Sequence, residues 1–109
     1  VITRSAYAGA QRYTSSWTGD NVATWEHLWI ANIQVQRMSI SGMGFTGSDI
    51  GGFAEQPSGE LYARWIQLGV FHPFCRTHSS GDHGDQEPWA FDEEVIDITR
   101  KFVNLRYQL

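Results

Sequence analysis

Two rhythms of apolar residues alternate along this chain. Short strand-like runs occupy residues 1–4, 43–48 and 70–75, and longer stretches with helical spacing lie between and after them. In the first long stretch Val22, Trp25, Leu28, Trp29, Ile33, Met38 and Ile40 recur at roughly helical intervals. Asp20 and Asn21 are its N-cap candidates, and Gly42 ends it. A second helix is predicted from Pro57-Ser58, with Leu61, Trp65, Ile66 and Leu68 inward and Gly69 at its end. A third starts at Asp92-Glu93-Glu94, where acids meet the positive helix end, and carries an apolar stripe of Val95, Ile98, Phe102 and Leu105. Residues 5–18 and 79–88 read as polar, glycine-containing loops. Pro73 fits poorly in the third strand because it cannot donate to a ladder.

Strand–helix alternation of this kind implies parallel strands joined by helical crossovers. The polar residues of interest follow the strands, as active-site residues do in a parallel α/β barrel. A complete barrel needs about 250 residues, so a chain of 109 is expected to be about half of one. The chain opens in strand-like residues without an initiator Met and stops within a helical stretch, which supports the half-barrel expectation over a small doubly wound domain. Such a half-barrel would expose strand edges and self-associate, or assemble with the remainder of the barrel.

Composition narrows the function classes. The formal net charge of −4 and the lack of any Lys/Arg run argue against nucleic acid and anionic membrane surfaces as partners. No apolar stretch approaches the roughly 20 residues of a membrane span. The single Cys75 forms no internal disulfide, leaves the compartment unknown, and in its apolar setting is expected to be a packed thiol. Five Trp, four Tyr and six Phe are many for this length. Most are expected in the core, but the surplus also suits packing against the apolar face of a sugar. The spacing of His72, His78 and His83 matches no compact metal motif, and the glycines match no phosphate loop.

The candidates for chemistry are Arg4, Asp20, Asp49 and the pair Arg76/His78, which convergent strand ends would bring together. Glycoside hydrolysis needs two carboxyl groups flanking the bond, one of them an acid of raised pKa. Trp17 offers Asp20 an apolar wall. Asp49, Arg4 and His78 suit sugar hydroxyls. Each residue also has an ordinary structural use: Asp20 as a helix cap, Asp49 as a turn residue before Gly51-Gly52, and His78 as a solvated side chain.

Several segments carry a more specific signal. They are Thr3-Arg4-Ser5, Gly9 to Tyr13 running on to Trp17-Thr18-Gly19-Asp20-Asn21, Phe45-Thr46-Gly47-Ser48-Asp49-Ile50-Gly51-Gly52-Phe53, and Arg64 to Gly69 leading into Pro73 to His78, with Glu87-Pro88-Trp89 beyond. Together they resemble glycoside hydrolase family 31, the α-glucosidase and α-xylosidase family. The resemblance implies a partial (β/α)8 TIM barrel, about strands five to eight with their helices, spanning residues 1–109. It implies that Asp20 is the general acid/base of a retaining mechanism. It also implies that Arg4, Asp49 and His78 bind sugar and that Trp17 and Phe53 wall the pocket. A short sixth strand at residues 15–17 would place Asp20 after a strand as well.

No segment here resembles the family's nucleophile, an Asp expected after the fourth strand and so outside this chain. No metal or organic cofactor is implied. The substrate implied is an α-linked oligosaccharide, with α-glucosidase favoured over α-xylosidase by Gln11 to Tyr13 and Trp17 to Asp20. Transglycosylation and carbohydrate binding without catalysis are the alternatives.

Overall fold

The computed structural model describes all of residues 1–109. Five short strands lie in chain order: β1 (Ile2–Thr3), β2 (Ser15–Trp17), β3 (Thr46–Gly47), β4 (Asp49–Ile50) and β5 (Arg76–Thr77). Every pairing is parallel. β1 pairs with β2 (Ile2 opposite Ser15), β2 with β3 (Trp17 opposite Gly47), and β4 with β5 (Asp49 opposite Arg76). β3 and β4 are separated only by Ser48, so one stretch of chain bonds to β2 with its first half and to β5 with its second. The strands therefore follow one another around an open arc in the order of the sequence.

Alternation along the stretch from Thr46 to Ile50 sorts the side chains. Ser48 accepts a buried hydrogen bond from Trp65 Nε1 at 2.9 Å, and Ile50 packs in the core, so this face meets the helices. Gly47 and Asp49 point to the opposite face, as a period of two requires. The helices are α1 (Trp25–Ile40), α2 (Gly59–Gly69) and α3 (Glu93–Gln108). α2 is the central helix: Leu61, Tyr62, Ala63, Trp65 and Ile66 are all buried, joined in the core by Ala31, Ile50, Val70 and Val95. Trp65 is wholly buried, and truncating an aromatic in such a place costs about 3–5 kcal/mol. α2 and α3 start where predicted, and each has a side-chain cap, with Ser58 accepting from Leu61 N–H and Asp92 from Val95 N–H.

Several elements differ from the sequence expectations. Thr24 caps α1, accepting from His27 N–H at 3.2 Å, while His27 Nδ1 accepts from Val22 N–H. Asn21 is engaged by Thr18 instead, and Asp20 is left free of the helix. α1 turns Leu28, Ala31 and Val35 inward and leaves Trp25, Trp29 and Ile40 exposed. Eight of the 15 aromatic residues are exposed, contrary to the expected core majority, because an open arc leaves faces uncovered. The polar stretch 5–18 contains a 3₁₀ turn (Ala10–Arg12) and the strand β2.

The strand expected over residues 70–75 is a turn instead, and pairing begins only at Arg76. Phe71 and His72 N–H groups continue the helical pattern onto Leu68 and Gly69 carbonyls. Arg106 then reaches across from α3 and donates to the carbonyls of Val70, His72 and Pro73 at 2.6–2.9 Å. These are carbonyls that a helix end and its exit turn leave without partners. Cys75 is partly buried against the core, and burial pushes its thiol up.

Two predictions follow from this packing. The chain at Phe74 crosses Gly47 so closely that a Cβ there would lie 1.8 Å from the Phe74 carbonyl oxygen. Backbone cannot yield as a side chain does, so Gly47→Ala should cost at least the upper end of ordinary overpacking, about 3 kcal/mol. Urea unfolding checks this, and an unchanged midpoint would contradict it. The second concerns His72, which is buried with both ring nitrogens unpartnered. Burial, and secondarily the Arg106 charge, lowers its pKa. The unfolded chain therefore binds the proton first, and stability falls as pH drops below the ordinary value of about 6.5. His72→Phe should flatten the change in unfolding midpoint between pH 7 and pH 5; an equally steep change in the variant would count against it.

Candidate active site

Asp49 anchors the mouth of the arc. Its side chain is fully buried, and its Oδ1 accepts from Arg76 Nη2 at 2.7 Å. Parallel register sets this pair, because Asp49 and Arg76 stand opposite each other on β4 and β5. Burial pushes the Asp49 carboxyl above its ordinary range. The Arg76 hydrogen bond and charge pull against that, His78 does so more weakly, and the charge of Asp20 adds to the rise. Asp49 Oδ2 is buried and has no hydrogen-bond partner.

Asp20 lies three residues beyond the end of β2 and is half-exposed. Its Oδ2 accepts from Arg4 Nη1 at 3.2 Å, and Arg4 directly follows β1. An exposed pair of this kind adds little stability, about 0–1 kcal/mol, so its interest is positional. Gly19 makes the approach possible: it has φ +85°, and a Cβ there would meet Arg4 Nε at 2.8 Å. Trp17, at the end of β2, is half-buried, and its indole N–H is buried without a partner.

Backbone hydrogen bonds stitch the loops together around Phe53. The Asn21 carbonyl accepts from Phe53 and Ala54 N–H at 2.7 and 3.1 Å, and Ala23 N–H donates to Ala54 O at 2.8 Å. Ser80 N–H donates to Phe53 O at 2.9 Å. The loops after β2, β4 and β5 thus meet at one residue. The Phe53 ring lies 5.4 Å from the His78 ring, tilted by 38°. Gly52, at φ +89°, lets the chain pass Ala23, where a Cβ would come within 2.7 Å of backbone. Gln86 is buried and donates to Gly52 O at 3.2 Å, holding the later loop against the same corner.

Two groupings emerge among the sequence candidates. Arg4 and Asp20 form one pair. Asp49, His78 and Phe53 form the other, and the charges of Asp20 and His78 both act on Asp49. Gln86 was not singled out from the sequence, and Arg76 was named there only beside His78, without a role of its own. Arg76 had a readable signal, since it precedes His78 by two and so shares its face of an extended strand. Gln86 had none, because its role depends on a loop folding back over Gly52. The three histidines are dispersed: His72 is buried behind the α2–α3 corner, while His78 and His83 are exposed.

The family profile described as "Glycosyl hydrolases family 31 TIM-barrel domain" matches residues 1–109. The chain belongs to glycosyl hydrolase family 31. It is 44% identical over 108 residues to "Alpha-glucosidase 2" of Bacillus thermoamyloliquefaciens, covering 99% of this chain and 14% of that protein. It is 47% identical over 109 residues to "Glucosidase 2 subunit alpha" of Saccharomyces cerevisiae, covering 100% of this chain and 11% of that protein. The crystal structure of a glucosidase II alpha subunit in a Glc1Man2-bound form superposes with a TM-score of 0.96 at 40% identity, covering 100% of this chain and 12% of that one. The chain thus spans a small part of the relatives it matches, and its open arc of parallel strands is a segment of the family 31 TIM barrel.

Proposed function

We propose that this chain forms the C-terminal half of the catalytic barrel of a retaining α-glucosidase, about strands five to eight, which removes terminal α-linked glucose from oligosaccharides. The observation that carries the reading is that the loops bearing Asp20, Phe53 and His78 leave parallel strands on one side and are tied together at Phe53, next to the strand that holds Asp49. That is where barrels of this architecture place their chemistry. The α-glucosidase names of the relatives supply the reaction class.

In this reading Asp20 is the general acid/base. A carboxylate from outside residues 1–109 attacks the anomeric carbon. Asp20 donates a proton to the leaving glycosidic oxygen, and a covalent glucosyl-enzyme forms. Asp20 then takes a proton from the incoming water, which displaces the enzyme carboxylate and restores the starting configuration. The half-exposed position of Asp20 suits a group that must meet first a leaving oxygen and then water. Arg4 lies against its carboxyl and is also a sugar-binding donor. Asp49 and His78 accept and donate hydrogen bonds to ring hydroxyls, while Trp17 and Phe53 provide apolar walls. The remainder of the barrel is the partner that completes the pocket, and without it the exposed strand edges favour self-association.

Two activity measurements test this. In the intact enzyme, Asp20→Ala should lower kcat on a natural α-glucoside by about 10²–10⁴-fold, the usual range for proton transfer. Residues 1–109 expressed alone should show no turnover of an aryl α-glucoside, because a retaining route needs both carboxylates. Turnover by the isolated chain that disappears with Asp20→Ala would refute the two-part division of the site. Full activity of the intact Asp20→Ala enzyme would refute the assignment of the acid/base.

A further inference from the structure

Asp49 is wholly buried, and only one of its oxygens has a partner. That partner is Arg76 Nη2 at 2.7 Å. The other charged groups acting on the carboxyl are His78, on the loop after β5, and Asp20, on the loop after β2. Asp20 carries the same charge as Asp49, and Arg4 is engaged by Asp20, so neither neutralises Asp49. A buried carboxylate left without its cation either protonates or is destabilised by several kcal/mol.

Arg76 is equipped to be that cation. Its Cα stands opposite that of Asp49 in the parallel ladder. Its guanidinium lies 5.2 Å from the centre of the Phe74 ring, which limits the directions it can take. Its own side chain is 29% exposed, so it joins the buried carboxylate to solvent. The turn that leads into β5 is held from behind by the three Arg106 hydrogen bonds, so Arg76 enters its strand from a fixed point.

We propose that Arg76 is a positioning residue for this site: it keeps Asp49 as a carboxylate and occupies one of its oxygens, leaving Oδ2 as the acceptor for a sugar hydroxyl. The proposal rests on the reading of the mouth as a glucoside-binding site. It adds that sugar binding by Asp49 depends on a residue whose main contact is with Asp49.

The test compares Arg76→Met, Arg76→Gln and Arg76→Lys in the intact enzyme, with kcat/KM followed against pH. Losing an opposite charge at this distance raises a carboxyl pKa by about 1–3 units. The acid limb of the profile should therefore move upward by that amount in Arg76→Met and Arg76→Gln. It should stay in place in Arg76→Lys, which keeps the charge. In an Asp49→Asn background, Arg76→Met should move the limb no further. If Arg76→Met fails to fold, the Gln and Lys variants carry the same comparison.

A ¹³C-carboxyl NMR titration of Asp49 reads the protonation directly and needs no turnover, so it stands whether or not the glucosidase reading does. The same upward shift is expected there in the Met and Gln variants. An acid limb and an Asp49 titration both unmoved in these variants would overturn the proposal. So would a loss of activity that is equal at all pH values, which a purely structural role predicts.

Discussion

Parallel pairing in sequence order is the constraint on which the rest of this structure depends. Each strand is only two or three residues long, so little of the ladder is available to hold it. Yet the register makes Trp17 stand opposite Gly47, and Asp49 opposite Arg76. Because all the strands run the same way, the loops that follow them leave on the same side. Residues separated by tens of positions in the sequence, from Arg4 to His78, then share one mouth. The backbone bonds through Phe53 turn that shared direction into contact. They use main-chain groups that loops must satisfy in any case.

The site divides into an exposed half and a buried half. Asp20 and Arg4 are open to solvent, and their pairing contributes little to stability. Asp49 is enclosed, and its charge is an energetic liability that Arg76 offsets. The environments of the two acids differ by burial and by the cation each faces. The fold obtains this difference by placing one acid within a strand and the other in a loop beyond a strand end.

Much of this was legible in the sequence. Start positions at Pro57-Ser58 and Asp92-Glu93-Glu94 and the apolar stripes located α2 and α3, because both signals are local, and the structure adds caps from Ser58 and Asp92. The short motifs around Asp20 and Asp49 identified the family. What failed did so for physical reasons. The start of α1 was misread because three polar residues compete near it: Thr24 takes the cap while Asn21 bonds to Thr18. The stretch 70–75 reads as a strand by composition, but Arg106, 30 or so residues later, supplies donors that stabilise a turn. The Trp residues of α1 follow a helical period yet face outward, since periodicity does not say which neighbour is present. The pairing of Arg76 with Asp49 lay in strand register, which sequence reasoning did not reach.

In the proposed reading these strand ends together grip one glucosyl unit, with Asp20 at its linkage. A crystal structure of the intact enzyme with an uncleaved thio-linked α-glucoside tests it most directly. The Asp20 carboxyl is expected within about 2.6–3.2 Å of the linking atom, with Asp49 and His78 on ring hydroxyls and the ring between Trp17 and Phe53. A sugar bound away from these strand ends, or bound here with Asp20 turned from the linkage, would contradict it.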